Sequence, residues 1–144
     1  MRFIDSNVFL HALLRPRRGL TDEEQRIKEE AQRIIKLVDE GEEVATTAVH
    51  ISEVVNIVES GLGLQRSLGL LAWAVSKPNI HVYPVTVESY ERALPLAQER
   101  GVSANDALAY LSMRDSGIAK VYTFDKHFDK LDIDRLPRYH ATRF

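Results

Sequence analysis

"EEVATT", "NIHVYPV" and "KVYTF" are short runs rich in apolar and β-branched residues. Each is flanked by segments whose apolar residues recur at helical spacing. This alternation constrains the fold more than any other feature of the chain. Strands separated by helices pair in parallel, and a parallel sheet needs helices on both faces. The ends of its strands and the starts of the following helices then share one edge, where ligands bind. The expectation is one α/β domain over residues 1–144, long enough to bury its own core.

The segments can be placed in outline. Residues 2 to 5 read as a buried strand. A helix from about 22 to 40 starts at a capping box, Thr21 with Glu24, and carries the stripe Ile27, Ala31, Ile34, Ile35 and Val38. Residues 42 to 47 are a strand, 48 to 60 an apolar helix closed by Gly61, and 64 to 76 a helix ending before Pro78. A strand over "NIHVYPV" precedes a helix from 87 to 100, whose Pro95 should kink it or shift its start. Ser103 caps a helix that ends near Gly117, "KVYTF" is a strand, 126 to 130 a helical turn, and "RYHATRF" a weak edge strand.

Four acids fall on the ligand-binding edge of this plan. Asp5 ends the first strand and Asp125 follows "VYTF". Glu53 lies about two turns into the helix after "EEVATT", and Asp106 in the first turn of the helix capped by Ser103. Each alone has an ordinary structural explanation: Asp5 or Asp125 as a cap, Asp106 at a helix dipole, Glu53 as a solvated helix residue. Two details argue otherwise. Glu53 is embedded in the apolar "VHISEVVNIV", and Ser103 already meets the capping need of the helix that holds Asp106.

Four carboxylates in one pocket repel one another unless cations join them or some stay protonated. All-oxygen ligands favour Mg²⁺ or Mn²⁺ over zinc. None of the five histidines (His11, His50, His81, His127 and His140) shows zinc-ligand spacing. Two hard ions about 4 Å apart would polarise a phosphodiester, activate a water and stabilise the leaving oxygen.

"FIDSNVFL", "SEVVNI", "SANDALAY" and "VYTFDKHFDKL" resemble, in order and in host element, the four acidic motifs of PIN-domain ribonucleases. The resemblance covers nearly the whole chain, and the size is most like the VapC toxins of VapBC toxin–antitoxin pairs. It implies a three-layer α/β/α fold around a mostly parallel sheet ordered 3-2-1-4-5. It also implies Mg²⁺- or Mn²⁺-dependent RNA cleavage, with two ions per site and water as nucleophile. Asp5, Glu53, Asp106 and Asp125 match the acidic quartet, as catalytic residues and metal ligands. Asn7 and Thr123 match polar residues that support the first and last acids, Asp129 matches an extra acid of some members, and Asn105 precedes the third acid. The charged loop "RPRRGLTDEE" is longer than a minimal toxin needs, which leaves open a nuclease of RNA processing without an antitoxin.

Other readings fit less well. A haloacid-dehalogenase-like phosphotransferase needs a second acid where Asn7 stands. A receiver-like signalling module needs paired acids before its first strand, which are missing. A PIN-like scaffold that binds RNA or protein without cutting remains, and the intact quartet argues against it. The net charge of -2 neither suggests nor excludes nucleic acid. Arg15, Arg17 and Arg18, with Lys126 and Lys130 beside the last acid, are the candidate RNA contacts, and a second basic cluster comprises Arg135, Arg138, His140 and Arg143.

The absence of cysteine rules out disulfides and thiolate chemistry. No stretch approaches a membrane span and no basic segment precedes an apolar run, so a cytoplasmic protein is expected. Residues 48 to 76 carry more apolar side chains, Trp73 among them, than one sheet face can bury. They either pack on one another and on the first long helix or are covered by a second chain. The resemblance implies the latter: a homodimer through this region, and an antitoxin helix in a nearby groove.

Overall fold

A computed structural model describes residues 1–137. Five parallel strands form its sheet: β1 (Arg2–Ile4), β2 (Val44–Thr47), β3 (Ile80–Tyr83), β4 (Lys120–Tyr122) and β5 (Asp134–Leu136). Their order is β3-β2-β1-β4-β5, as the resemblance implied. Neighbouring residues on a strand face opposite sides. Ile4, Val44 and Tyr122 accordingly enter one core, and Phe3, Ala45 and Val121 the other. The first core is closed by α1 (Ser6–Leu13), α2 (Asp22–Asp39), α3 (Ala48–Leu62) and α4 (Leu64–Ser76). The second is closed by α5 (Val87–Arg100), α6 (Ala104–Ser116) and the 3₁₀ turn Lys126–Lys130. No described helix is long and apolar enough to cross a membrane.

Local chemistry sets most boundaries. The capping box of α2 forms as expected, with Thr21 Oγ1 accepting from the Glu24 N–H at 3.2 Å and Glu24 accepting from the Thr21 N–H at 3.1 Å. α3 does not close at Gly61. It continues to Leu62 and breaks at Gly63, whose φ of 95° is a conformation that glycine adopts without strain. α5 starts at Val87 and runs through Pro95, so Pro95 does not shift the start, and the bond its N–H would have made to Glu91 is missing. β5 is an element that hydrophobic patterning misses. "DRL" has no strand signature, and the segment is extended because it pairs with β4, Lys120 opposite Asp134 and Tyr122 opposite Leu136. The strand expected over "RYHATRF" lies outside the described residues, with Arg138, His140 and Arg143 of the basic cluster.

α1 carries the first acid, and its far end is tied down by a buried cation. The last carbonyls of a helix have no partner within it. Lys28 of α2 meets them: its Nζ donates to the carbonyls of His11, Ala12 and Leu14 at 3.3, 3.0 and 3.1 Å. Burial pushes the Lys28 ammonium below its ordinary pKa, with Arg15 adding to the shift.

Trp73 is partly buried within its own chain. Its indole N–H donates to Asp39 Oδ1 at 2.8 Å, and its ring stands edge-on to Phe9. Leu64, Leu68 and Val75 of the same helix remain exposed, at 59%, 50% and 61%.

Candidate active site

β1 is three residues long, and Asp5 belongs to both structures that follow it. Its N–H donates to the Tyr122 carbonyl at 3.0 Å, a last rung of the β1–β4 ladder. Its side chain caps α1, Oδ1 accepting from the Ser6 N–H at 2.9 Å. The carboxyl is therefore fixed at the strand C-terminus, where the parallel sheet opens. The other three acids reach the same edge. Glu53 comes from α3, Asp106 from the third position of α6 after the Ser103 cap, and Asp125 from the cap of the 3₁₀ turn.

All four acids line one cleft of about 430 Å³, together with Ser6, Asn7, Ser103, Ala104 and Asn105. Short polar contacts hold them. Thr123 donates from Oγ1 to Asp5 Oδ2 at 2.8 Å, and the same oxygen accepts from the Asp125 N–H at 3.0 Å. Asn7 Oδ1 accepts from the Phe124 N–H at 3.3 Å and so ties α1 to the end of β4. Glu53 is held at both oxygens, by Ser6 Oγ and by Asn105 Nδ2, each at 2.8 Å. Asn7, Thr123 and Asn105 thus all touch an acid or the backbone that carries one.

Ser6 was not anticipated from the sequence. Neither was His127, whose Nδ1 lies 2.7 Å from Asp125 Oδ1. Asp106, Asp125 and His127 each offer an atom within 4.8 Å of the others, so a nitrogen stands beside the oxygen set. The Asp-x-His spacing at 125 and 127 was visible. Asp106, the third member, is nearly twenty residues away and is brought in only by the fold.

Burial dominates the electrostatics. Asp5 is pushed up from 3.8 to about 7, first by desolvation and then by the Asp106 and Asp125 charges, against the lowering effect of Thr123 and Ser6. Asp106 is raised to about 6, again by burial first and by Asp125 next. A cleft that pushes carboxylates towards neutrality is one a cation would relieve, and its donor set, mainly carboxylate oxygen, fits Mg²⁺ or Mn²⁺. Behind Asp5 lies His50, 1% exposed, with Nε2 at 3.8 Å from Asp5 Oδ1. Burial lowers its pKa to about 4, so the imidazole is neutral.

The remaining expected residues lie outside the cleft. Asp129 makes a bidentate pair with Arg135, both contacts at 3.0 Å. Lys130 donates to the Gly101 carbonyl at 3.1 Å, capping α5 from outside. Arg18 is engaged by Glu24 at 2.9 and 2.8 Å. Arg15, Arg17 and Arg18 follow the C-terminal end of α1, whose eight residues place them roughly 12 Å along its axis from the cleft. Lys126 is exposed and adjoins Asp125.

Residues 2–134 match the family model described as PIN domain. No curated protein matches the sequence. Among solved structures, the chain is similar to Mycobacterium tuberculosis VapC20, described as a sarcin–ricin loop cleaving toxin. The identity is 21% and the TM-score 0.69, with 90% of this chain and 93% of that one covered. It is also similar to a toxin–antitoxin complex from Klebsiella pneumoniae, at 15% identity and TM-score 0.66, covering 98% and 100% of the two chains. A third, VapBC2 from Rickettsia felis bound to a DNA fragment from its promoter, shares 10% identity with TM-score 0.61 over 93% and 96%.

Proposed function

The chain belongs to the PIN domain family, and on that premise we propose that it is a Mg²⁺- or Mn²⁺-dependent ribonuclease, the toxin of a toxin–antitoxin pair. The observation that carries the reading is the convergence of Asp5, Glu53, Asp106 and Asp125, from four separate elements, on one cleft. These four residues would hold the ions, with two per site the expected number. A divalent ion there supplies Lewis-acid polarisation of a phosphoryl oxygen and lowers the pKa of a water.

The chain's own groups do the positioning. Thr123 and the Ser6 N–H fix both oxygens of Asp5. Ser6 Oγ and Asn105 fix both oxygens of Glu53. Asn7 ties the end of β4 to α1, so the first and last acids cannot drift apart. Held this way, the carboxylates need little reorganisation when charge develops on a phosphodiester. Asp129, paired with Arg135, steadies the turn after Asp125 and is not needed as a ligand.

An acidic cleft repels the RNA backbone, so cations beyond its edge must supply affinity. Lys126 is the nearest of the expected five. Arg15 and Arg17 lie beyond the far end of α1, while Arg18 and Lys130 would have to leave their present partners to join them. The partner of this nuclease would be an antitoxin whose helix lies in the groove that Phe9, Leu62, Leu70 and Trp73 line together with Arg15, Lys28 and Arg66. A homodimer would cover the exposed leucines of α4.

The test is cleavage of single-stranded RNA by the purified chain. Cutting should require Mn²⁺ or Mg²⁺, stop with EDTA, and fall by at least a hundredfold in Asp5→Asn with the fold retained. Wild-type protein that binds RNA but never cuts it would favour a PIN scaffold over a nuclease. Asp5→Asn cutting at the wild-type rate would move the active site elsewhere.

A further inference from the structure

His50 lies in the first turn of α3, behind the cleft, and its proton can be placed by its neighbours. Thr47 caps α3, with Oγ1 accepting from the His50 N–H at 3.2 Å. The same oxygen lies 2.6 Å from His50 Nδ1. A hydroxyl has one proton to give. With Nδ1 as acceptor that proton is used. With Nδ1 as donor it has no acceptor, because Thr47 Oγ1 makes no other hydrogen bond among the described residues. The network therefore leaves the ring proton on Nε2.

That Nε2–H is buried, has no hydrogen-bond partner among the described residues, and lies 3.8 Å from Asp5 Oδ1. The Phe3 ring stands edge-on to the imidazole at 5.2 Å. An orphaned buried donor is costly and uncommon. A donor one short movement from a carboxylate is the arrangement that tightens when a catalytic site is loaded.

We propose that His50 is a positioning residue for Asp5, its Nε2–H closing on Oδ1 to complete the set of donors behind the carboxylate. This inference rests on Asp5 being a ligand of the divalent ion. Asp5 then has Thr123 on Oδ2 and Ser6 N with His50 on Oδ1, which leaves a lone pair of Oδ2 for the ion. A neutral donor suits this task. A lysine or arginine in the same place would cancel the charge that the cation needs, whereas an imidazole N–H orients the carboxylate and leaves its charge in place. Thr47, one step further back, sets which ring nitrogen does the donating.

The experiment is Mn²⁺ titration of the wild-type chain and of His50→Phe, His50→Gln and Thr47→Val, read by calorimetry and by the rise in melting temperature. His50→Phe keeps ring volume without a donor and should bind Mn²⁺ about tenfold more weakly. His50→Gln restores an N–H donor and should recover part of the loss. Thr47→Val, which frees the tautomer without touching the ring, should fall between wild type and His50→Phe, and serves alone should His50→Phe not fold. Wild-type Mn²⁺ affinity in His50→Phe, or in Thr47→Val, overturns the role of His50 and leaves the nuclease reading intact. Wild-type protein that binds no Mn²⁺ at millimolar concentration overturns the metal site, and the role of His50 with it.

Discussion

The Thr123 hydroxyl donates to Asp5 Oδ2 across 2.8 Å, joining residues 118 positions apart at the ends of two neighbouring strands. The same oxygen accepts the Asp125 N–H, so one side chain sets the spacing of the first and last acids. Thr123→Val keeps the shape and removes both bonds. Leaving buried partners unsatisfied should cost about 1–3 kcal/mol in denaturant unfolding. It should also weaken Mn²⁺ binding, because the bond that holds the Asp5 pKa down is lost. Thr123→Ser should retain both properties.

The raised acids make the metal-free protein sensitive to pH. Asp5 at about 7 and Asp106 at about 6 hold protons in the folded state that the unfolded chain, with carboxyls near 4, has already released. The folded state binds more protons between pH 4 and 7, so these two groups make stability fall as pH rises through that window. His11 and His50, lowered by burial to about 4, act in the opposite sense between pH 4 and 6.5, so the acids are read from the difference between Asp5→Asn and wild type in EDTA, which should grow from pH 5 to pH 8. Asp5→Asn should stabilise the protein at pH 8 by on the order of 2–4 kcal/mol and much less at pH 5. Mn²⁺ should stabilise the wild type more at pH 8 than at pH 5, since the ion binds the deprotonated acids. A stability difference between Asp5→Asn and wild type that does not grow with pH in EDTA would contradict the burial of Asp5.

How far was this site legible beforehand? The acids were, because the edge of a parallel sheet collects strand ends and helix starts, and Asp5, Glu53, Asp106 and Asp125 all sit there. Their supports were only partly so. His50 lies within a run that reads as an apolar helix face, and its proximity to Asp5 depends on how α3 crosses β1. Ser6 stands between two conspicuous polar residues, Asp5 and Asn7, and nothing in its spacing marks it as a bridge to Glu53. The arginines of the 15 to 18 loop follow the first motif closely in sequence, yet a two-turn helix separates them from the cleft. β5 had no hydrophobic pattern to find, because its pairing to β4 alone makes it a strand.

Lys28 should matter to stability well away from the cleft. Its Nζ serves three carbonyls at the C-terminal end of α1, the helix that Asp5 begins. Lys28→Met keeps most of the apolar stem and leaves those carbonyls without their charged donor. A loss of about 1–3 kcal/mol in urea unfolding is expected, with Mn²⁺ binding unchanged in the protein that remains folded. A neutral effect on stability would mean that the carbonyls find other partners.

Association should involve α4. Leu64, Leu68 and Val75 are at least half exposed, whereas Trp73 is engaged by Asp39 and Phe9 within its own chain. Sedimentation should report about twice the chain mass of 16.4 kDa. Leu68→Asp should shift it towards monomer with little change in melting temperature, while Trp73→Ala should lower the melting temperature as well. A chain that stays monomeric at high micromolar concentration would remove the dimer and leave the nuclease reading untouched.

The four carboxylates should hold a divalent cation. Crystals soaked in MnCl₂ and measured with X-rays tuned to manganese test it most directly. An anomalous peak is expected in the cleft, with carboxylate oxygens of Asp5 and Asp106 at about 2.1–2.3 Å and the peak lost in Asp106→Asn. Crystals that show no manganese among these acids, from protein that still cuts RNA in the same buffer, would contradict it.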